Sequence, residues 1–258
     1  MAACIQLDPL ASERLAEGVA SPTTIGSSDQ LDPGSPSRVD AALRHSARMQ
    51  AEREQDERLK AAEILKYFGV RQGMVVLNLH SGGDRYGEAL SSFVGPTGRV
   101  VAQDSLPYLS FMKNELAARY TDALAGADNQ QLKLAPNVFD AVIIIKSYHD
   151  EYFVSEDEGW VRIDRSDLLR EIFTTLKPGG VLGFVDHEPD SGATQAEIGS
   201  RSRRIDPALI KHDMARAGFI FDEEIDELRS SDDDLAYPVI ATSAHDYTNN
   251  IILRFRKP

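Results

Sequence analysis

The sequence predicts an α/β fold, a doubly wound and mostly parallel sheet. Two observations lead there. Short apolar runs alternate with amphipathic helical segments from residue 74 to the last residues, which implies helices packed on both faces of a parallel sheet. The run Val142, Ile143, Ile144 and Ile145 is apolar at consecutive positions, as in a strand covered on both faces.

The elements follow in order. Residues 1–37 hold four of the chain's twelve prolines, three glycines and six serines, with little periodicity. Such a composition buries too little apolar area to offset its ordering entropy, so a flexible tail is expected there and the folded domain over 38–258. A helical segment is expected over 39–68. Its middle is densely charged, and Ala61, Ile64, Leu65 and Phe68 form an apolar stripe that Gly69 can stop. Strands are expected at 74–79, 99–103, 132–134, 139–145, 181–186, 220–228 and 250–256, seven in all, with helices at 85–93, 107–120, 167–176 and 207–217. Turns at 95–98 and 177–180 carry the glycines and prolines that end elements. The last strand alternates apolar and polar residues enough to lie at an edge.

Composition bounds the function. Apolar residues make up 42% and charged residues 27%, values ordinary for a globular protein. No run of about 18 apolar residues suits a transmembrane helix. The first 22 residues show no basic stretch leading into an apolar one, so no signal peptide is expected, and Cys4 is the only cysteine. A disulfide within the chain and a cysteine-built zinc site are thereby excluded, and the cytoplasm is the expected compartment. The net charge of −13 argues against a nucleic-acid partner, because phosphate neutralisation needs a clustered basic face. Arg201, Arg203 and Arg204 are a local exception, able to clamp an anionic group or simply to face solvent. The acidic runs 150–158 and 222–234 read as solvated loops or element edges, and Trp160 as ordinary packing or part of a lid.

In a doubly wound sheet ligands bind outside the carboxyl ends of the strands. After the first strand come His80, Ser81, Gly82, Gly83 and Asp84, where adjacent glycines let the backbone approach a cofactor. The glycines at 82, 83 and 87 do not have the spacing of a dinucleotide-binding fingerprint, which counts against a nicotinamide-dependent oxidoreductase. Asp104 ends the second strand 22 residues after Gly82, where a carboxylate can hold the ribose hydroxyls of an adenosine cofactor or cap a helix.

The stretches 75–83, 98–104, 139–145 and 176–187, taken in order, resemble the class I S-adenosylmethionine-dependent methyltransferases, and more narrowly a group of uncharacterised bacterial methyltransferases. Phe68-Gly69-Val70, Tyr148-His149-Asp150, Arg204-Ile205-Asp206, Ala217-Gly218-Phe219 and the ending at 253–258 add to the likeness, which covers about residues 45–258. The resemblance implies a Rossmann-like seven-stranded sheet with an antiparallel C-terminal edge strand, S-adenosylmethionine as cofactor and a methyl group passed to a small molecule. It places Asn78, His80, Ser81, Gly82, Gly83, Asp104, Lys146 and Ser147 around the cofactor, and Tyr148, His149, Asp186 and His187 toward the substrate. Asn78 stands where the family has an acid and Asp84 where it has a glycine, so cofactor binding without transfer is the alternative. His149 has the intrinsic pKa of a general base near neutral pH, or it can merely hydrogen-bond at a strand end. No metal is expected, since neighbouring ligands on extended backbone, such as Asp186 and His187, diverge.

Overall fold

The computed structural model describes residues 60–80, 85–103, 134–154, 162, 164–189, 202–228, 233, 239 and 248–258. The expected tail, the helix at 107–120 and Trp160 lie outside the described residues. The elements are α1 (Ala61–Tyr67), β1 (Val75–Leu79), α2 (Arg85–Val94), β2 (Arg99–Gln103), β3 (Phe139–Ile145), a 3-10 helix (Tyr148–Tyr152), α3 (Arg165–Thr175), β4 (Leu176–His187), α4 (Pro207–Ala217), β5 (Ile220–Ile225) and β6 (Asn250–Arg256).

Among the described residues six strands form one sheet in the order β2-β1-β3-β4-β6-β5. β2, β1, β3 and β4 pair in parallel, and β6 runs antiparallel to both β4 and β5. The expected seventh strand falls on 132–134, of which only Leu134 is described. The C-terminal strand is antiparallel as expected, but it lies one place in from the rim, with β5 outermost. Ile251, Ile252, Leu253 and Phe255 are all buried, so the alternation that suggested an edge is only partial.

Local chemistry explains the boundaries. Asp164 caps α3 by accepting from the N–H groups of Ser166 and Asp167, and Asp206 caps α4 by accepting from Ala208 ahead of a first-turn proline. Gly218 ends α4 at φ 94°, a left-handed conformation that suits glycine. The 177–180 stretch, expected as a turn before a strand, lies inside β4. The turn survives there as a bulge: Gly179 has φ 75° and the β3–β4 register jumps from Phe139–Leu176 to Ala141–Val181, while Gly179 N–H donates to the Lys257 carbonyl and Lys257 N–H to the Gly180 carbonyl.

The sheet separates two apolar layers. Leu77, Leu79, Val142, Ile144, Leu182 and Phe184 face α3 and α4, whereas Val76, Ala141, Ile143, Val181 and Val185 face α1 and α2. Gly183 sits mid-strand in β4 because α1 rests directly on it: a Cβ there would come within 2.7 Å of the Phe68 ring. At the far edge from the strands' carboxyl ends, Asp140 accepts from Val75 N–H and from the Lys177 ammonium at 2.6 Å. No helix among the described residues is long and apolar enough to cross a membrane.

Gly183→Val is therefore expected to destabilise the fold by about 1–3 kcal/mol through overpacking. Urea unfolding measures this, and an unchanged midpoint would mean that α1 does not press on β4 as described.

Candidate functional site

The chain lays β2 beyond β1 on one side and then crosses to place β3 on the other. The gap between the carboxyl ends of β1 and β3 is thus the topological switch point, where such sheets bind ligands. Three non-glycine residues near the strands' carboxyl ends have left-handed backbone: His80 (φ 54°) after β1, Lys146 (φ 53°) after β3 and Arg203 (φ 52°) before α4. Each costs about 1–3 kcal/mol, so the surrounding contacts must hold the chain there.

Those contacts start from β3. Lys146 N–H donates to the Val185 carbonyl at 2.6 Å, extending the β3–β4 ladder by one residue. Ser147 then turns the chain into the 3-10 helix. Consecutive residues of a 3-10 helix diverge by about 120°, so Tyr148, His149 and Asp150 serve different neighbours.

His149 turns toward β4. Its Nδ1 is 2.6 Å from Asp186 Oδ1 and its backbone N–H donates to Asp186 Oδ2 at 3.0 Å. Asp186 Oδ1 also accepts from His187 N–H at 2.8 Å. On the opposite side His149 Nε2 stands 3.3 Å from Asp150 Oδ1, a long and poorly aligned contact. Burial disfavours the imidazolium, but Asp186 and Asp150 outweigh it and push the His149 pKa up to about 10. Burial likewise opposes ionisation of Asp150, yet His149, Arg203 and His80 hold its carboxyl below the usual range. Arg203 Nη1 lies 3.9 Å from Asp150 Oδ1. The result is a line of alternating charge, Asp186, His149, Asp150 and Arg203, running from a fully buried carboxylate to a guanidinium 39% exposed.

Glu151 turns toward β1. Its Oε1 is 2.7 Å from His80 Nε2, with the two side chains 2% and 9% exposed. Among the described residues Glu151 Oε2 and Ser147 Oγ are buried without hydrogen-bond partners. The 3-10 helix thereby ties the end of β1 to the end of β4 across β3.

Other expectations move. Tyr148 does not join His149: its hydroxyl donates to Asp213 of α4 at 2.9 Å, and its ring packs edge-on against Phe184 at 5.2 Å. Burial and the Asp213 carboxylate push its pKa well above the ordinary value. His187 is buried as well, its Nδ1 2.7 Å from Thr248 Oγ1 and its ring 5.7 Å from that of His149. Strand alternation sends it to the face opposite Asp186. Arg204 is no substrate clamp. It is 1% exposed and grips Asp233 with both terminal nitrogens, at 2.8 and 2.7 Å, while donating to the Glu188 carbonyl. Asn78 is buried mid-sheet between Ala102 and Ile143. Ser81, Gly82, Gly83, Asp84 and Asp104 lie outside the described residues.

The acidic run at 150–158 reads as a solvated loop or element edge, yet Glu151 is 3% exposed. The signal for burial was the pair of tyrosines, Tyr148 and Tyr152, flanking the two acids at a strand end. Similarly Asp222 and Asp233, from the second acidic run, are engaged by Arg254, Arg256 and Arg204. A separate cavity of about 900 Å³ opens between α3 and α4, lined by Tyr152, Arg165, His212, Asp213 and Arg216 among others. Among the described residues no group of three or more His, Cys, Asp or Glu is arranged to hold a metal.

No family model and no curated protein matches the sequence. Solved structures do match. A SAM-dependent methyltransferase from Aquifex aeolicus is 17% identical at a TM-score of 0.52, the alignment covering 88% of this chain and 98% of that one. Geranyl diphosphate C-methyltransferase from Streptomyces coelicolor A3(2), solved with S-adenosyl-L-homocysteine, is 13% identical at 0.50, covering 84% and 88%. The [4+2]-cyclase SpnF is 19% identical at 0.50, covering 84% and 85%. At these identities the likeness is one of fold, and the fold is that of the S-adenosylmethionine-dependent methyltransferases.

The paired carboxylates set a sign for pH dependence. His149 titrates near 10 when folded against a reference of 6.5, so its stabilising contribution is whole below about pH 6.5 and fades as pH rises toward 10. The stability gap between the native chain and His149→Gln, read from urea midpoints, is expected to narrow over that window. A gap that widens there would contradict a protonated imidazole.

Proposed function

We propose that this chain, which carries the fold of the S-adenosylmethionine-dependent methyltransferases, binds that cofactor and passes its methyl group to a small-molecule acceptor. One observation carries the reading: the 3-10 helix after β3 gathers the ends of β1, β3 and β4 into a single buried polar cluster at the switch point. The orphaned acceptors Ser147 Oγ and Glu151 Oε2 fit a ligand that brings hydrogen-bond donors, as this cofactor does. When bound, the cofactor supplies an electrophilic methyl group on a sulfonium.

The chain's part is then alignment, since in-line displacement gains most from a fixed geometry. Asn78, His80, Ser81, Gly82, Gly83, Lys146 and Ser147 line the cofactor side in this reading, with Asp104 on its ribose. The acceptor lies over β4 and the 3-10 helix. There the roles differ from those first expected. His149 holds its proton at neutral pH and is 2% exposed, so it acts as a positioning residue, pinned by Asp186 and in turn fixing Asp150. Asp150, whose side chain is 21% exposed, is the member of the line that reaches the acceptor and takes a hydrogen bond from its O–H or N–H. Asp186 and His187 brace the turn from beneath. A cluster with this many carboxylates on a chain of net charge −13 repels phosphate, which favours a small acceptor over a nucleic acid.

A second reading, cofactor binding without methyl transfer, is favoured by Asn78 at the end of β1, by a His149 that is no free base, and by the occurrence of this fold in a [4+2]-cyclase.

Calorimetry with S-adenosylmethionine and S-adenosylhomocysteine is expected to give saturable binding of both, and silence from both at millimolar concentration rejects the two readings together. Methyl transfer to any member of a panel of small oxygen and nitrogen nucleophiles then separates the first from the second. With an acceptor in hand, Asp150→Asn is expected to lower kcat about 100-fold or more while leaving the affinity for S-adenosylhomocysteine unchanged. An undiminished kcat would remove Asp150 from the reaction.

A further inference from the structure

We infer that Glu151 is a cofactor-positioning carboxylate, its Oε2 receiving the α-ammonium group of S-adenosylmethionine; this rests on the cofactor reading above. The side chain is 2% exposed, and only one of its two oxygens is engaged, Oε1 at 2.7 Å from His80 Nε2. Among the described residues Oε2 has no hydrogen-bond partner. A buried carboxylate oxygen in that condition is costly, because water no longer solvates it and nothing else does. Ser147 Oγ, at the start of the same turn, is buried and unpartnered too. Two acceptors without donors therefore lie in the one turn that follows β3 at the switch point.

The other carboxylates of this edge already have cationic neighbours. Asp186 holds His149, Asp150 stands between His149 and Arg203, and Asp233 grips Arg204. What Glu151 Oε2 lacks is a donor, and a positively charged one makes the stronger hydrogen bond. The cofactor has three kinds of donor: the adenine amine, the ribose hydroxyls and the α-ammonium. Only the last is a cation with N–H groups, since the sulfonium has none. Its place also fits. The adenosine end is read toward β2 through Asp104, whereas Glu151 stands on the β3 side of β1. β1 itself brings no acid, for Asn78 stands there, and His80 at its end is the residue that Glu151 grips. The carboxylate that faces the amino-acid end of the cofactor thus comes from the turn after β3.

Glu151→Gln keeps the shape and removes the charge. Calorimetry on the full chain, with circular dichroism as a check of folding, compares S-adenosylhomocysteine, which carries the ammonium, with methylthioadenosine, which shares the adenosine and lacks the amino-acid end. The expected result is a loss of about 10- to 100-fold in affinity for S-adenosylhomocysteine, the size of one charge-assisted hydrogen bond, with methylthioadenosine unaffected. Equal losses for the two ligands, or none for either, would overturn the inference while leaving the cofactor reading in place. Failure of the native chain to bind either ligand would instead fell the cofactor reading, and the inference with it. Should Glu151→Gln not fold, Glu151→Asp, which withdraws the carboxylate by one methylene, is measured against the same two ligands by the same criteria.

Discussion

The Asp186 carboxylate is the interaction on which the site depends. It is fully buried at the end of β4 and accepts from three N–H groups, the His149 ring, the His149 backbone and the His187 backbone. A buried carboxylate is tolerable only with such a set of donors and a nearby cation. Meeting that requirement brings the turn after β3 down onto the end of β4. Once His149 is pinned there, its neighbours have no freedom: Tyr148 must enter the apolar layer beneath α4, Asp150 must face outward beside Arg203, and Glu151 must reach across to His80.

The strain at this edge has the same origin. His80, Lys146 and Arg203 adopt left-handed backbone without being glycine, and each adjoins a residue of the polar cluster or belongs to it. Such conformations persist where surrounding contacts over-determine them. The ladder bond from Lys146 to Val185, the His80–Glu151 contact and the buried Arg204–Asp233 pair are those contacts. The opposite edge of the sheet is closed by the Asp140 bonds to Val75 and Lys177 and by the bonds of Gly179 and Gly180 with Lys257.

Much of the fold was legible from local pattern. β2, β3, α4 and β6 begin and end where hydrophobic runs, a capping Asp206 with Pro207 and a terminating Gly218 place them. The switch-point cluster was legible only in part. His149 and Asp186 stood out as titratable residues at strand ends. Glu151 did not, because an acid in an acidic run looks solvated when only its neighbours in sequence are visible. Tyr148 was placed with His149 for the same reason: adjacency in the chain says nothing about the 120° that separates them around a 3-10 helix. Arg204 was counted as a possible clamp because its partner, Asp233, lies 29 residues away in sequence.

By itself, the sequence determined the alternation of strands and helices, the parallel core and the edge at which chemistry belongs, since these follow from periodicity and turn residues that act over a few positions. The tertiary structure alone decided that β6 inserts between β4 and β5, that Asp186 and Asp150 push the pKa of the buried His149 up, and that Glu151 is buried against His80. Those outcomes depend on desolvation and on charges brought together from distant segments, and neither quantity exists until the chain has folded.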